Sequence, residues 1–312
     1  MKPGQVSVMG TVHKLIEAKG RQGALELGVE RRELEAAATY MADEDSGVGF
    51  LYSGWCQAAL PHRKLPDIEG WQVTSDRVTL VVEPGMRPTA SGKPEAVGVP
   101  YGSRARLILI YLQSEAIRTK SREINLGSSL RAWLVRLGIP QGGTSIAAVR
   151  DQAERLSLCH LTFRVQSGTS TGLINQSIVD TALFMDDQAG RGQFLEKARL
   201  SEGFFAQLQK HPVPMEEGAI RAVSNNSLAL DIYAWLAYRL HSLPSPRPIT
   251  WRALKPQFGA SFGRLDNFRA SFCLNLKLAL AVYPAARVEV TEDGLTLYPS
   301  HPPVSKEKMI RA

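Results

Sequence analysis

No cluster of residue types in this chain has the spacing of a catalytic centre. The six histidines, at 13, 62, 160, 211, 241 and 301, never fall two, three or four residues apart. A helical HExxH zinc site, or the paired histidines of a nickase metal site, needs two imidazoles on one face, so both are disfavoured. Cys56, Cys159 and Cys273 lie about a hundred residues apart with no CxxC pair, which speaks against a zinc site or a disulfide framework. The glycines of IPQGGTS lack the lysine of a phosphate-binding loop, and Gly47-Val48-Gly49 lacks the rest of a dinucleotide fingerprint. GTSTG (168–172) has the GxSxG spacing but lies between two strand-like runs, not at the strand-to-helix turn of a nucleophile elbow. Asp186-Asp187 and Glu216-Glu217 have the chemistry of metal ligands, but adjacent acids are usually solvated faces or caps. His160, in a strand-like run, reads as a packed or edge histidine. The expectation is a protein that is not an enzyme and needs no metal or cofactor.

The basic side chains are better placed. Net charge is +7, with a pI near 9.4, the usual electrostatic footprint of a nucleic-acid binder. Residues 1–50 carry −2, residues 51–96 balance, residues 97–190 carry +3 and residues 191–312 carry +6. A polyanion is therefore expected on the C-terminal two-thirds. Arg118, Lys120, Arg122, Arg131, Arg136, Arg150 and Arg155 face only Glu123, Asp151 and Glu154 nearby. Between 247 and 277, Arg247, Arg252, Lys255, Arg264, Arg269 and Lys277 face only Asp266.

The elements that must hold these residues emerge from the apolar pattern. Residues 11–45 read as a weakly patterned helical stretch or a flexible arm, with Leu15, Ile16, Leu25, Leu27 and Leu34 among charges and glycines. WQVTSDRVTLVVEPG (71–85) alternates as two strands about a Ser75-Asp76 turn. The Pro/Gly-rich run 84–100 reads as a linker and a domain boundary. From Tyr101 the order is a helix over 102–119, a short strand in SREINLG, a helix over 128–137, a turn, and a third helix capped by Thr144 or Ser145. Two strand-like runs, 158–166 and 173–185, follow as a hairpin. That order is a winged helix, whose third helix normally enters the major groove.

A divergent copy of the order follows. Residues 225–242 predict a helix, 243–251 a short strand, 251–258 a short helix, 263–283 a long helix and 286–299 a hairpin turning at Asp293-Gly294. The fold class expected is α+β, with tandem winged-helix domains and a small N-terminal extension. The boundaries are 1–46 (arm), 47–96 (strand-containing segment and linker), 97–190 (first winged helix) and 191–312 (second). On the last long helix Leu265, Phe268, Phe272, Leu276 and Ala279 form the inward stripe. Arg264, Asn267, Ser271 and Asn275 share another face by i, i+3/i+4 spacing. Arg pairs with guanine and Asn with adenine in the major groove. The matching set in the first unit is Ser145, Arg150 and Gln152, with Arg155 near the helix end. Arg252 and Lys255, on the short helix before the last, complete the candidate DNA contacts.

Residues 101–163, YGSRARLILIYLQSEAIRTKSREINLGSSLRAWLVRLGIPQGGTSIAAVRDQAERLSLCHLTF, closely resemble the RepA-type replication initiators of bacterial plasmids. LPHRKLPD and VTLVVEPG upstream look like the same family. The resemblance is dense over residues 50–185, weaker after 190 and absent from 1–45. It implies binding to iterons in double-stranded DNA at a plasmid origin, opening of an AT-rich segment, and recruitment of the host initiator and replicative helicase. It also implies a homodimer off DNA, a monomer on each iteron, and a dimer surface in the first winged helix. The apolar strand residues of 71–82, 158–166 and 173–185 are the candidates for that surface. The rival class is a winged-helix transcriptional regulator repressing its own promoter. MKPGQVSVMG has no apolar run after Lys2 and no stretch reaches membrane-spanning length, so a cytoplasmic protein is expected.

Overall fold

The centre of the run 102–119, Leu107 to Leu112, is apolar on every side, which suits a helix enclosed by other elements better than one lying on a surface. In the computed structural model, which describes residues 11–43, 46–126, 135, 138–139, 142–167, 170–186 and 193–311, it is enclosed in this way. The helices are α1 (Thr11–Glu26), α2 (Arg31–Met41), α3 (Ser53–Gln57), α4 (Gly102–Thr119), α5 (Gly143–Leu158), α6 (Glu202–Lys210), α7 (Glu217–Ala222), α8 (Ser227–Arg239), α9 (Trp251–Phe258), α10 (Leu265–Ala281) and α11 (Lys306–Arg311). The strands are β1 (Val48–Tyr52), β2 (Trp71–Thr74), β3 (Val78–Glu83), β4 (Gly85–Arg87), β5 (Glu95–Gly98), β6 (Glu123–Asn125), β7 (His160–Ser167), β8 (Ser170–Gln176), β9 (Val179–Asp186), β10 (Gln193–Leu200), β11 (Pro212–Glu216), β12 (Arg247–Thr250), β13 (Val288–Val290) and β14 (Gly294–Leu297). The chain divides into two units, one of residues 50–212 and one of residues 1–49 with 213–312.

In the unit of residues 50–212, α4 is buried without a break from Ala105 to Ser114. Its buried polar side chains are there because each satisfies backbone that would otherwise be orphaned. The Ser114 hydroxyl accepts from the Phe50 N–H (2.8 Å), and Gln113 Oε1 accepts from the Tyr52 N–H (2.7 Å). Arg106 donates to the carbonyls of Leu60 (2.6 Å), Pro61 (3.2 Å) and Gly102 (2.8 Å). Among the described residues the unit's larger sheets are a four-stranded one in the order β2-β3-β7-β8 and a three-stranded one in the order β6-β10-β9, beside the two-stranded pair β4-β5.

Three expectations change here. The hairpin expected over 158–166 and 173–185 is two structures. β7 and β8 pair with each other and, through β7, with β3, while residues 179–186 leave to pair with β10. The strand that joins β6 is therefore β10, not a strand of the earlier hairpin. The run 84–100 is not a boundary, because β4 and β5 fold it into a hairpin inside this unit. Two of its glycines allow close approach: a Cβ on Gly85 would sit 2.3 Å from the Leu158 carbonyl oxygen. Gly98, at φ +78°, would meet both Arg155 and Asp67. Helix α5 is capped at Gly142 without a side-chain bond, not by Thr144 or Ser145. The helix expected over 128–137 lies outside the described residues except for Val135.

Of the apolar residues expected at a dimer surface, Val73, Val78, Leu80, Val82, Leu161 and Phe163 are buried within this unit, with Phe163 edge-on to Tyr52 and Trp55, whereas Leu158 is exposed. The edges of the four-stranded sheet are β2 and β8.

The other unit joins the N-terminal residues to the C-terminal ones. Residues 11–43 are not a flexible arm. Helices α1 and α2 bury Val12, Ala24, Leu34 and Ala36 to Ala38, and they belong to the C-terminal unit. The glycines that weakened the helical pattern have a use, since Gly20, at φ +67°, is a kink inside α1. Lys277 on α10 reaches Glu30, at the N-cap of α2 (2.7 Å), and Arg221 on α7 reaches Asp43 (2.8 Å). Adding the acidic N-terminal residues leaves this unit nearly balanced, at 18 basic and 16 acidic side chains, against 19 and 14 for residues 50–212. Residues 191–212 likewise fold with the first unit, not with the C-terminal one.

The remainder runs α8, β12, α9, α10 and the β13–β14 hairpin, with β12 joining the hairpin through β14. The inward stripe of α10 holds: Phe268, Phe272, Leu276 and Ala279 are buried, and Leu265 is half-buried. Phe258, Phe268, Phe272 and Trp251 pack edge-on or tilted at 5.3–6.4 Å between ring centroids. The hairpin turn is not the Asp-Gly turn expected, because Gly294 has no positive φ. It is glycine because a Cβ would collide with the Ile249 carbonyl oxygen of β12.

Candidate nucleic-acid interface

Helix α9 starts at a cap that ties it to the hairpin. Thr250 Oγ1 accepts from the Ala253 N–H. The Trp251 N–H and indole Nε1 donate to the Asp293 and Glu292 carbonyls at 2.9 and 3.0 Å. With Trp251, Leu254 and Phe258 inward, Arg252 is exposed and Lys255 half-exposed on the other side. Arg269, on α10, lies exposed over the Trp251 ring at 5.6 Å. These cations stand on the outer surface of a helix pair, where a phosphate backbone can reach them.

The four residues grouped on α10 separate. Arg264 precedes the first turn and is largely exposed, its guanidinium forked onto Asp266 at 3.1 and 2.6 Å. That pair holds the Asp266 carboxyl below its ordinary value, chiefly through the Arg264 hydrogen bond. Asn267 is exposed. Ser271 and Asn275 turn toward α8: Asn275 Nδ2 donates to the Ser271 carbonyl (2.7 Å), and its Oδ1 accepts from Asn226 Nδ2 (2.6 Å). Asn226 is itself the cap of α8. Asn275 therefore positions a helix start and is not free to read a base. The solvent line of α10 runs instead through Asn267, Ala270 and Leu274, all exposed.

In α5 the expected outward set is mostly inward. Gln152 and Arg155 are 3% and 4% exposed. Gln152 Oε1 accepts from the Tyr101 N–H (2.7 Å). Arg155 pairs with Asp151 (2.9 Å) and Asp67 (3.2 Å), and its guanidinium lies over the Tyr101 ring at 5.4 Å. Ser145 and Arg150 are half-buried. Helical spacing puts Thr144, Ala147, Asp151 and Glu154 on the open side, so beyond its first turn that face is acidic. Glu154 is paired with Arg87 (3.4 Å).

Pattern reading passed over two cations. Lys197 and Arg199, on β10, are exposed and lie opposite Asn125 and Glu123 of β6. Their signal was alternation in QFLEKARL, which places both on the face opposite the buried Ala198 and Leu200.

Other candidate chemistry has structural roles. Glu216 accepts from Lys308 (3.2 Å) and Glu217 pairs with Arg221 (3.5 Å). His160 is half-buried opposite Glu83. All three cysteines are buried and free; burial pushes the Cys159 thiol up to about 12 and raises Cys273 as well. Among the described residues no helix is long and apolar enough to cross a membrane.

Residues 99–252 match the family of plasmid-encoded RepA proteins. This region of the chain belongs to the RepA family. It opens at Val99, beside the Arg155 clamp, and closes at Arg252, in the first turn of α9. No curated protein matches the sequence. In fold, the chain is similar to the crystal structure of selenomethionine derivatives of domains 2 and 3 of RctB, at a TM-score of 0.52 and 11% identity, covering 82% of this chain and 99% of that one. A second structure of RctB domains 2–3 matches at a TM-score of 0.47 and 10% identity, over 83% of this chain and all of that one. The mixed α+β architecture around the RepA region is thus one already seen in a solved structure.

Proposed function

We propose that this protein is a plasmid replication initiator that binds repeated duplex sequences at its origin through two winged-helix units, without catalysing a reaction itself. The observation that carries the reading is the RepA match over residues 99–252. That region contains β6, α5 and the β9–β10 hairpin of one unit and leads into the α9–α10 pair of the other. In both units an early strand joins the second strand of a later hairpin, β6 with β10 and β12 with β14, as in a winged helix. Helix α10 then stands where the groove-reading helix belongs and α9 where the backbone-contacting helix belongs. Arg252, Lys255 and Arg269 supply phosphate contacts, and the open N-terminal half of α10 supplies base choice. In the first unit the exposed cations of β10 are better phosphate ligands than the buried Arg155.

Initiation then follows as a division of labour. Bound chains mark the repeats, an adjacent AT-rich segment opens, and the host initiator and helicase are recruited to it. The free protein is a dimer and one chain occupies each repeat. The dimer forms through the open backbone of β2 or β8, the two edges of the four-stranded sheet. The test is maintenance of a plasmid that carries only the origin, with this gene supplied in trans. Maintenance that depends on the gene supports initiation. Loss of the plasmid, together with intact binding and repression of the gene's own promoter, would make the protein a regulator instead.

A further inference from the structure

The solvent line of α10 is unusual for a surface helix in a basic protein because its centre is apolar. Asn267, Ala270 and Leu274 follow at i, i+3 and i+7, and Leu274 is 52% exposed. Toward the C-terminus the helix is covered, Lys277 being held by Glu30 of α2. Exposed or half-exposed cations stand elsewhere on the same helix pair, Arg269 on α10 and Arg252 and Lys255 on α9. A helix pair with cations on its surface and an exposed leucine on its solvent line suits a ligand that offers both anionic and apolar groups.

The major groove offers that combination at one kind of base pair. Its walls are phosphates, and the apolar group on a base edge is the C5-methyl of thymine, which alanine and other apolar side chains contact. Adenine presents N7 and N6 to an asparagine. From Asn267 to Leu274 the helix rises about 10 Å, roughly three base-pair steps. Arg264, the natural reader of guanine, is forked onto Asp266 in the free protein.

Resting on the reading of α10 as the groove-reading helix, we infer that it recognises an A·T-containing step. Asn267 binds adenine, and Ala270 and Leu274 pack on thymine methyl groups. Leu274 is then a specificity-determining residue, although it has no polar atom to offer.

Deoxyuridine lacks only the methyl, so it isolates the contact. The preferred duplex is selected from random-sequence DNA with the full chain and resynthesised with deoxyuridine for thymidine, one position at a time. The inference expects a loss of about fourfold at one or two positions, the size set by burying one methyl-sized group. Leu274→Ala should bind the thymidine and deoxyuridine duplexes equally at its position while keeping wild-type affinity for random DNA, which shows that it is folded. Leu274→Val should keep part of the discrimination. A clear sequence preference with no position sensitive to the methyl overturns this inference and leaves the initiator reading standing. No preference for any sequence overturns both. Unchanged methyl discrimination in Leu274→Ala, with a change in its oligomeric mass, would assign the leucine to a protein contact and also overturn the inference.

Discussion

Arg155 and Asp67 lie 88 residues apart in sequence, yet both Nη atoms of the arginine sit 3.2 Å from one carboxylate oxygen. The same guanidinium bonds Asp151 and the Val99 carbonyl and covers the Tyr101 ring. LPHRKLPD (60–67), the YGSRARL start of α4 and the VRDQAERL of α5, the last two within the RepA match, therefore meet at one side chain. Burial pushes the Asp67 carboxyl up, but hydrogen bonds from Lys64 and Arg155 and their charges outweigh it, and its net shift is downward.

Arg155→Ala should consequently be a stability variant and not an affinity variant. Removing one partner of a fully buried pair costs about 3–5 kcal/mol. Both carboxylates here keep water contact, so about 2 kcal/mol is expected, read as a lower urea midpoint. Measured on folded protein, the salt dependence of DNA binding should not change. A wild-type midpoint with a shallower salt slope would place Arg155 on phosphate after all.

A pH effect is expected in the other unit. His13 is buried edge-on to Tyr40, at 6.0 Å between centroids. Burial lowers its pKa from the ordinary 6.5, against the opposing pull of the Ala281 backbone and of Glu17. A histidine lowered on folding binds fewer protons folded than unfolded. Its contribution to stability is full above pH 6.5 and is lost as pH falls from there through the lowered folded value. Urea midpoints at pH 7.5 and 5.5 should differ more in wild type than in His13→Phe. Equal differences would mean that His13 is protonated in the folded state.

Arg252→Ala and Lys255→Ala should weaken binding to every duplex alike. Each lost phosphate contact should reduce the slope of log affinity against log salt by about 0.9. Slopes unchanged in both variants would remove α9 from the interface.

Much of this architecture could be read from spacing alone. The apolar stripe of α10, the β2–β3 pair about Ser75, and the α8–β12–α9–α10 order each follow a local period that tertiary packing did not override. The failures have a common cause in that a side chain's polarity does not reveal its partner. Gln152 and Arg155 look like surface residues until Tyr101 and Asp67 arrive from elsewhere in the chain. Asn275 looks like a base reader until Asn226 bonds it. Residues 11–43 look like a weak helix because their stability comes from packing within the C-terminal unit. In β10, the neighbours of Lys197 and Arg199 lie on β6, about seventy residues earlier, and no window along the sequence contains both.

Oligomeric state is open to a direct check. The free protein at tens of micromolar should scatter light as a dimer, and its complex with a single-repeat duplex should contain one chain. Proline substitutions at Gln72 in β2 and at Asn175 in β8, made separately, should give a monomer in the one case whose edge forms the contact. A monomeric wild type, or two chains on one repeat, would contradict the proposed switch.

The most direct test of the central claim is a titration of the full chain against an origin repeat and a scrambled duplex of equal length, for wild type and Asn267→Ala. Specific binders prefer their site by about a thousandfold or more at physiological salt. Losing one bidentate base contact costs about 1–3 kcal/mol on the cognate sequence. Wild type should show that preference, and Asn267→Ala should lose about tenfold or more on the repeat and almost nothing on the scrambled duplex. Equal affinity of wild type for both duplexes, or equal loss on both in the variant, would contradict sequence reading by α10.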